Sequence, residues 1–255
     1  IILIWIPMAR RKSLAFLDVG QGDCFVADTK SGAIIFDGGS SSEDQVGRYR
    51  ILPYMKYLGY QKIQIAVISH MDIDHYSGIK ELLEMGKIKY LGLPEIPKDE
   101  TMKKIIGIAK KRGTTIFYLS RGRQITTKDG SLKVLHPQKN SQMEKNAASL
   151  VMQGKILGYR VLLTGDVEKE GEEELLSEEL ERADILKAAH HGSKNSTSNE
   201  FLQKVQPKQT VISCGKQNRY GHPHLETIHR LQTYRTKIYR TDRSGAIIFF
   251  KRRDG

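Results

Sequence analysis

The sequence predicts an α/β protein in which two β-sheets lie buried between layers of helices. Short apolar runs bounded by Gly, Asp or Ser recur along the whole 255-residue chain, and segments with helical spacing separate them. The runs are continuous more often than they alternate with polar residues, so the strands they form are covered on both faces. No Pro/Gly/Ser linker, low-complexity tract or internal repeat interrupts this order, which leaves residues 13–255 as one compact domain.

In chain order the strands are SLAFLDV (13–19), CFVAD (24–28), AIIFD (33–37), IQIAVIS (63–69), YLGLPE (90–95), TTIFYLS (114–120), YRVLLTGD (159–166), ADILKAA (183–189), TVISCG (210–215) and AIIFFK (246–251). The helical stretches are residues 45–59, 75–86, 99–113, 167–182 and 224–235. The chain opens on IILIWIPMA, followed by Arg10, Arg11 and Lys12. That apolar stretch falls short of the roughly 20 residues that span a bilayer. Residues 1–12 therefore read either as the end of a longer membrane segment or linker, or as a first core strand. A signal peptide would place its basic residues before the apolar stretch.

With 41 Lys and Arg against 29 Asp and Glu the net charge is +12. That favours a polyanionic partner such as nucleic acid or an anionic surface, against the competing reading of a solvated basic surface without a ligand. The runs Lys110-Lys111-Arg112, Arg121 with Arg123, and Lys251-Arg252-Arg253 suit a nucleic-acid backbone or, equally, solvated positions. Cys24 and Cys214 sit in apolar runs without the paired spacing of a zinc or redox motif. They read as buried free thiols, and a disulfide stays open only if their strands are neighbours.

The chemistry concentrates at strand ends. IQIAVISHMDIDHYSG is an apolar strand that ends in His70, Asp72, Asp74 and His75 before a helix begins. Alternation points His70 and Asp72 the same way, and the turn brings Asp74 and His75 to a neighbouring point, which suits two adjacent metal ions. For Asp74 the alternative is a helix N-cap. Asp37 closes AIIFDGG, Asp166 closes YRVLLTGD, and His190 with His191 closes ADILKAAHHGS. Each alone passes for a turn former, but four such ends together are what a site on one edge of a sheet stack requires. In FLDVGQGDC, Gly20 and Gly22 read as a tight hairpin fixed by Asp23. Ser193, Lys194, Ser196 and Thr197 offer hydroxyls, amides and charge to phosphate oxygens, the alternative being a loop that ends in Ser198 as a helix cap. His222, in YGHPH, reads either as a proton donor to a departing sugar oxygen or as a loop histidine before Pro223.

The ordered set FLDVGQGDC, SHMDIDHYSG, NAASLVM, LLTGD, LKAAHHGSKNSTS and RYGHPH resembles the hydrolase domain of the ComEC competence proteins, within the metallo-β-lactamase superfamily. The resemblance covers nearly the whole chain. It implies a four-layer αββα sandwich with two divalent metal ions, and nothing in the sequence calls for a small-molecule organic cofactor. It also implies a domain on the extracytoplasmic side of a larger membrane channel protein for DNA uptake, with a nuclease role against the strand that is not imported. Position by position, His70 and Asp72 correspond to ligands of one metal, Asp74, His75 and His191 to ligands of the other, and Asp166 to the bridge between them. His190 is the alternative to His191. Asp37 would orient the cluster from behind, and Gln21 and Asp23 would face the site.

Two departures from the superfamily pattern stand out. Asp72 takes the place of a usual second His, and Asn146, in NAASLVM, stands where a further His ligand is usual and supports the ligands from behind. One metal position is thus poorer in nitrogen and richer in oxygen, which favours Mn²⁺ over Zn²⁺. Such a centre activates water near neutral pH and neutralises charge developing on a phosphodiester. Two alternatives share the residues: a phosphodiesterase for another phosphate ester, which needs a pocket, and a non-catalytic DNA clamp. A β-lactamase would be richer in imidazole.

Overall fold

The structure is a computed structural model that describes residues 11–143, 146–178 and 180–251. Most of the stretch read as a membrane-proximal segment, residues 1–10, and Arg252 and Arg253 of the last basic run lie outside the described residues.

Two seven-stranded mixed sheets form the centre. The first contains β1 (Ser13–Phe16), β2 (Phe25–Thr29), β3 (Gly32–Phe36), β4 (Ile63–Val67), β5 (Ile88–Pro94) and β6 (Thr115–Leu119), with the last strand, β14 (Ile247–Phe250), beside β1. The second runs β7 (Gln124–Thr127), β8 (Gly130–His136), β9 (Val151–Ile156), β10 (Tyr159–Leu163), β11 (Ile185–Lys187), β12 (Gln209–Ile212) and β13 (Lys237–Arg240) in spatial order. Each sheet changes from antiparallel to parallel pairing once, between β2–β3 and β3–β4 in the first and between β9–β10 and β10–β11 in the second. Ligand-type residues follow the carboxyl ends of the strands at these two transitions, where neighbouring connections diverge and leave a crevice.

The helices α1 (Leu52–Tyr57), α2 (Ile73–Glu84) and α3 (Glu100–Lys111) cover the first sheet, and α4 (Lys169–Leu176), α5 (Asn199–Val205) and α6 (Leu225–Thr233) cover the second, while the short α7 (Thr241–Ser244) links β13 to β14. Three buried clusters hold these four layers together. Ile79, Leu82 and Leu83 of α2 pack with Ile35, Ala66 and Leu91 on the outer face of the first sheet. Leu14, Phe16, Ile34 and Phe36 meet Val134, Met152, Val161 and Ile185 between the sheets. Phe201, Leu202 and Leu231 cover Leu162, Leu186 and Ile212 on the far side. Consecutive residues such as Ile34, Ile35 and Phe36 serve two different cores, which is why the strands read as continuous apolar runs.

The ten strands read from the sequence are all present, but β7, β8, β9 and β13 were not read as strands, β9 because Gln153, Gly154 and Lys155 interrupt its apolar run. QITT, GSLKVLH and KIYR alternate or are largely polar, and β7 and β13 are edge strands with a solvated side. The helix expected over residues 167–182 is shorter, Lys169–Leu176. Gly20 and Gly22 do not make a tight hairpin: the connection from β1 to β2 spans residues 17–24 and reaches the site. Cys24 and Cys214 are buried free thiols, and burial, followed by the Asp37 and Asp23 carboxylates, pushes the Cys24 thiol far up. Among the described residues no helix is long and apolar enough to cross a membrane.

Candidate metal centre

The turn from β4 into α2 delivers His70, Asp72, Asp74 and His75. Asp72 is the residue before the helix and makes no side-chain capping bond, and Asp74 lies inside the first turn, so Asp74 is not the N-cap. The start of α2 is pressed backbone to backbone against two glycine loops. Asp23 N donates to Asp74 O at 3.0 Å, and Gly38 N to His75 O at 2.8 Å. A Cβ at Gly22 would come within 2.7 Å of Asp74 O, and one at Gly39 within 2.6 Å of His75 N. Those glycines therefore set how closely the first two loops approach the helix that carries the candidate ligands.

Four side chains from three loops converge there. His75 Nε2 lies 3.1 Å from Asp166 Oδ2, and His191 Nε2 lies 3.3 Å from both Asp166 Oδ2 and Asp74 Oδ2. Ligands about 2.0–2.1 Å from a tetrahedral ion stand roughly 3.3–3.4 Å from one another, so this spacing is that of a coordination shell. His70 is adjacent, its ring 4.1 Å from that of His75, with Nε2 3.7 Å from Asp72 Oδ2.

The far nitrogens fix the rings. Asp37 Oδ2 accepts from His75 Nδ1 at 2.9 Å and from Ser69 Oγ at 2.8 Å, and Asp37 Oδ1 accepts from Ser69 N at 2.7 Å. With the Ser69 hydroxyl hydrogen directed to Asp37, its oxygen is left to accept from His70 Nδ1 at 3.0 Å. The Ser213 carbonyl accepts from His191 Nδ1 at 2.9 Å. Once a cation takes the place of the Nε2 proton, each imidazole would keep its proton on Nδ1 and turn a lone pair on Nε2 inward. The Nε2 atoms of His70, His75 and His191 are buried without a hydrogen-bond partner, which fits residues that hold a divalent cation and is otherwise costly.

The charges agree. Burial opposes ionisation of Asp166, yet His191, His75 and Lys187 outweigh it and hold its carboxyl well below the usual range. Asp74 is likewise held at about 2, where burial is overcome by His191 and His75. Burial would lower His191, but Asp166 and Asp23 raise it to about 10, and Asp166 and Asp37 raise His75. This is a pocket that attracts positive charge.

His191 and His190 occupy different places. His191 is 1% exposed and enters the cluster. His190 stands at the rim with Nδ1 2.7 Å from Glu168 Oε1 and Nε2 3.8 Å from Asp166 Oδ2. Both take positive φ, so a sharp turn points the two rings in different directions.

Two residues were undervalued in the sequence. Lys187, buried at the end of β11, pairs with Asp23 and lies 3.4 Å from Asp166 Oδ1, with Nζ donating to Gly165 O at 2.8 Å. It engages one oxygen of Asp166 and leaves Oδ2 to the cluster. Asp23 sits behind the rings, 3.7 Å from Nδ1 of both His75 and His191. The signal for Lys187 was a lysine interrupting an apolar strand just before the His pair.

Other expectations need correction. Ser196 and Thr197 are buried and bond Ala189: Ser196 Oγ donates to Ala189 O, and Thr197 Oγ1 accepts from Ala189 N. Ser193 is buried too, with Oγ accepting from Asn195 N. Glu172 accepts from the backbone of Thr197 and Ser198, and Arg230 donates to the carbonyls of Lys194, Ser196 and Thr197. This loop is clamped to support His191, which leaves Lys194 as its exposed cation. His222 is lowered to about 4 by burial and by His191, His190 and His224. It is therefore neutral at neutral pH, the wrong form for an imidazolium proton donor. Asn146 is half-buried in the turn whose Ser149 supports Asp166 N, and its carbonyl accepts from Ser149 N. His136, another histidine between the α2 cluster and Asp166, is buried away from the centre, with Nε2 2.6 Å from Ala147 O and Nδ1 3.1 Å from Glu174 Oε2. Arg121 is taken by Glu174 and Glu178.

Comparison with known proteins agrees with this architecture. Over its full length the chain is 35% identical to ComE operon protein 3 of Bacillus subtilis, covering 35% of that protein. It is 30% identical over 93% of its length to competence protein ComA of Neisseria gonorrhoeae, covering 32% of it. The chain thus spans about a third of the length of these relatives. Among solved structures, the metallo-beta-lactamase fold protein YhfI from Bacillus subtilis superposes with a TM-score of 0.61 at 13% identity, covering 92% of this chain and 99% of that one. The sequence profile of the metallo-beta-lactamase superfamily matches residues 17–216. The chain belongs to the metallo-beta-lactamase superfamily and, within it, is similar along its whole length to competence proteins of the ComEC type.

Proposed function

We propose that the chain is a metal-dependent nuclease that hydrolyses phosphodiester bonds of DNA, with Mn²⁺ favoured over Zn²⁺. It would serve a larger membrane channel protein by degrading, on the extracytoplasmic side, the strand that is not imported. The observation that carries this reading is the pair of buried Nε2 atoms of His75 and His191 at coordination spacing from Asp166, with Asp74 equally close to His191 and the buried Nε2 of His70 alongside. The competence relatives and the +12 charge supply the choice of DNA.

When bound, divalent ions supply an activated water and offset the charge that develops on the phosphodiester. The protein does the positioning. Asp74, His75, His191 and Asp166 form the closed position, and His70 with Asp72 forms the second. Asp37 and Ser69 hold the proton on Nδ1 of His75 and His70, and Lys187 holds Asp166 by Oδ1. At the rim His190, oriented by Glu168, takes the place of His222 as the group that exchanges a proton with the departing sugar oxygen. Lys194, the exposed cation of the clamped loop, is assigned to a phosphate of the strand.

Cleavage of end-labelled single- and double-stranded DNA by metal-stripped protein, with Mn²⁺, Zn²⁺ or Mg²⁺ restored, tests this beside Asp166→Ala. Metal-restored cutting that is lost in the variant supports the nuclease. Metal binding without cutting of either DNA sinks it in favour of another phosphate ester or a clamp.

A further inference from the structure

An aromatic stack runs outward from the centre along the loop between β12 and α6. The His222 ring lies 6.1 Å from that of His191, and Tyr220 stacks on His222 at 5.7 Å with planes 22° apart. The Arg219 guanidinium lies 4.9 Å from the Tyr220 ring centroid and donates to the Tyr220 hydroxyl at 2.7 Å. The loop is braced from within. Asn218 Nδ2 donates to the carbonyls of Gly215 and His222, and its Oδ1 accepts from His222 N. Tyr220 is nevertheless 42% exposed, and on the α2 side of the centre Ile73, between Asp72 and Asp74, is 54% exposed.

A centre that handled only phosphate would need cations and donors around it, not a fixed ring. In a duplex the base faces are stacked inside, and the outer surface presents phosphate and sugar. An unpaired nucleotide brings a π-face, which aromatic rings and guanidinium planes bind without regard to sequence. The His222 ring stands between Tyr220 and His191, so the shelf adjoins the candidate metal centre.

We propose that Tyr220, braced by His222 and Asn218 with Arg219 over its ring, is a stacking shelf for one unpaired nucleobase beside the scissile bond. The shelf selects a single strand or a frayed end. The proposal rests on the nuclease reading, and its test separates the two.

Metal-stripped protein is titrated with a single-stranded oligonucleotide carrying a run of 2-aminopurine, and with the same run in a blunt duplex, using the wild type, Tyr220→Ala and Tyr220→Trp. The wild type should quench the single strand, Tyr220→Ala should bind it about tenfold or more weakly with little quenching, and Tyr220→Trp should restore both. Duplex affinity should not change among the three. Equal binding and quenching by wild type and Tyr220→Ala, or no quenching by the wild type, overturns the shelf. A parallel arm with Mn²⁺ and either DNA or bis(4-nitrophenyl) phosphate reports on hydrolysis alone. Failure there removes the nuclease and leaves the stacking result standing.

Discussion

Around His75 and His191, contacts of 3.1–3.3 Å tie two imidazoles to Asp74 and Asp166, and loops from both sheets contribute. Around His70 the contact with Asp72 is 3.7 Å, the Asp72 side chain is 37% exposed, and the residue standing for a usual third imidazole is Asn146. Both positions follow the carboxyl ends of strands at a change of sheet pairing. They differ in how far the fold has closed them before any ion arrives. The lesson is that outer partners hold the rings on both sides, Ser69 included at His70, but only the inter-sheet position also has its facing carboxylates already at coordination distance, whereas the position at His70 depends on its ion, its substrate or both to complete it.

The largest expected difference comes from removing one ligand on each side. His191→Ala or Asp166→Ala should weaken the first Mn²⁺ by more than about 100-fold, since outer partners alone are worth about 10–100-fold. His70→Ala should leave that first binding event within about tenfold of wild type. Calorimetric titration reads both, and equal losses would erase the distinction.

Beneath the closed position, Lys187→Met leaves Asp23 buried without its cation and should cost about 3–5 kcal/mol of stability in the metal-free protein, by denaturant unfolding. Adding Asp23→Asn should recover most of it. No loss in the single variant would mean that Lys187 does not hold the floor of the site.

Removing the orienting carboxylate is expected to act next in size. Asp37→Ala should lower metal affinity about 10–100-fold, because His75 and Ser69 both lose their acceptor. An unchanged isotherm would show the rings to be held by packing alone.

The smallest effect concerns pH. His222 is depressed in the fold, to about 4 from an ordinary 6.5, so the unfolded chain takes up the proton first. Its contribution to stability is complete above pH 6.5 and is lost as pH falls towards 4. His222→Gln should flatten the decline in metal-free stability between pH 7 and 5, and a slope identical to wild type would contradict the neutral assignment.

The strand-end residues were legible because a ligand after an apolar run leaves a local signature, as at His70, Asp166 and His191. The four layers were legible for the same reason, since Ile34, Ile35 and Phe36 in one run need two cores. What stayed hidden depends on partners distant in sequence. Nothing local says that Lys187 meets Asp23, that Glu172 clamps Thr197, or that Gly39 exists to admit the backbone of His75. Ser196 and Thr197 looked like phosphate donors because they follow the candidate ligand His191. Their burial is set by Ala189 and Arg230, which sequence reading cannot bring to them. Polar edge strands such as β13 carry little periodic signal at all.

The inequality of the two proposed metal positions is tested most directly by titrating metal-stripped protein with Mn²⁺ and resolving each binding step. Two separated steps, with the tighter one abolished in His191→Ala and retained in His70→Ala, are the predicted result. Two ions bound with equal affinity, or a tight step that survives His191→Ala, would contradict it.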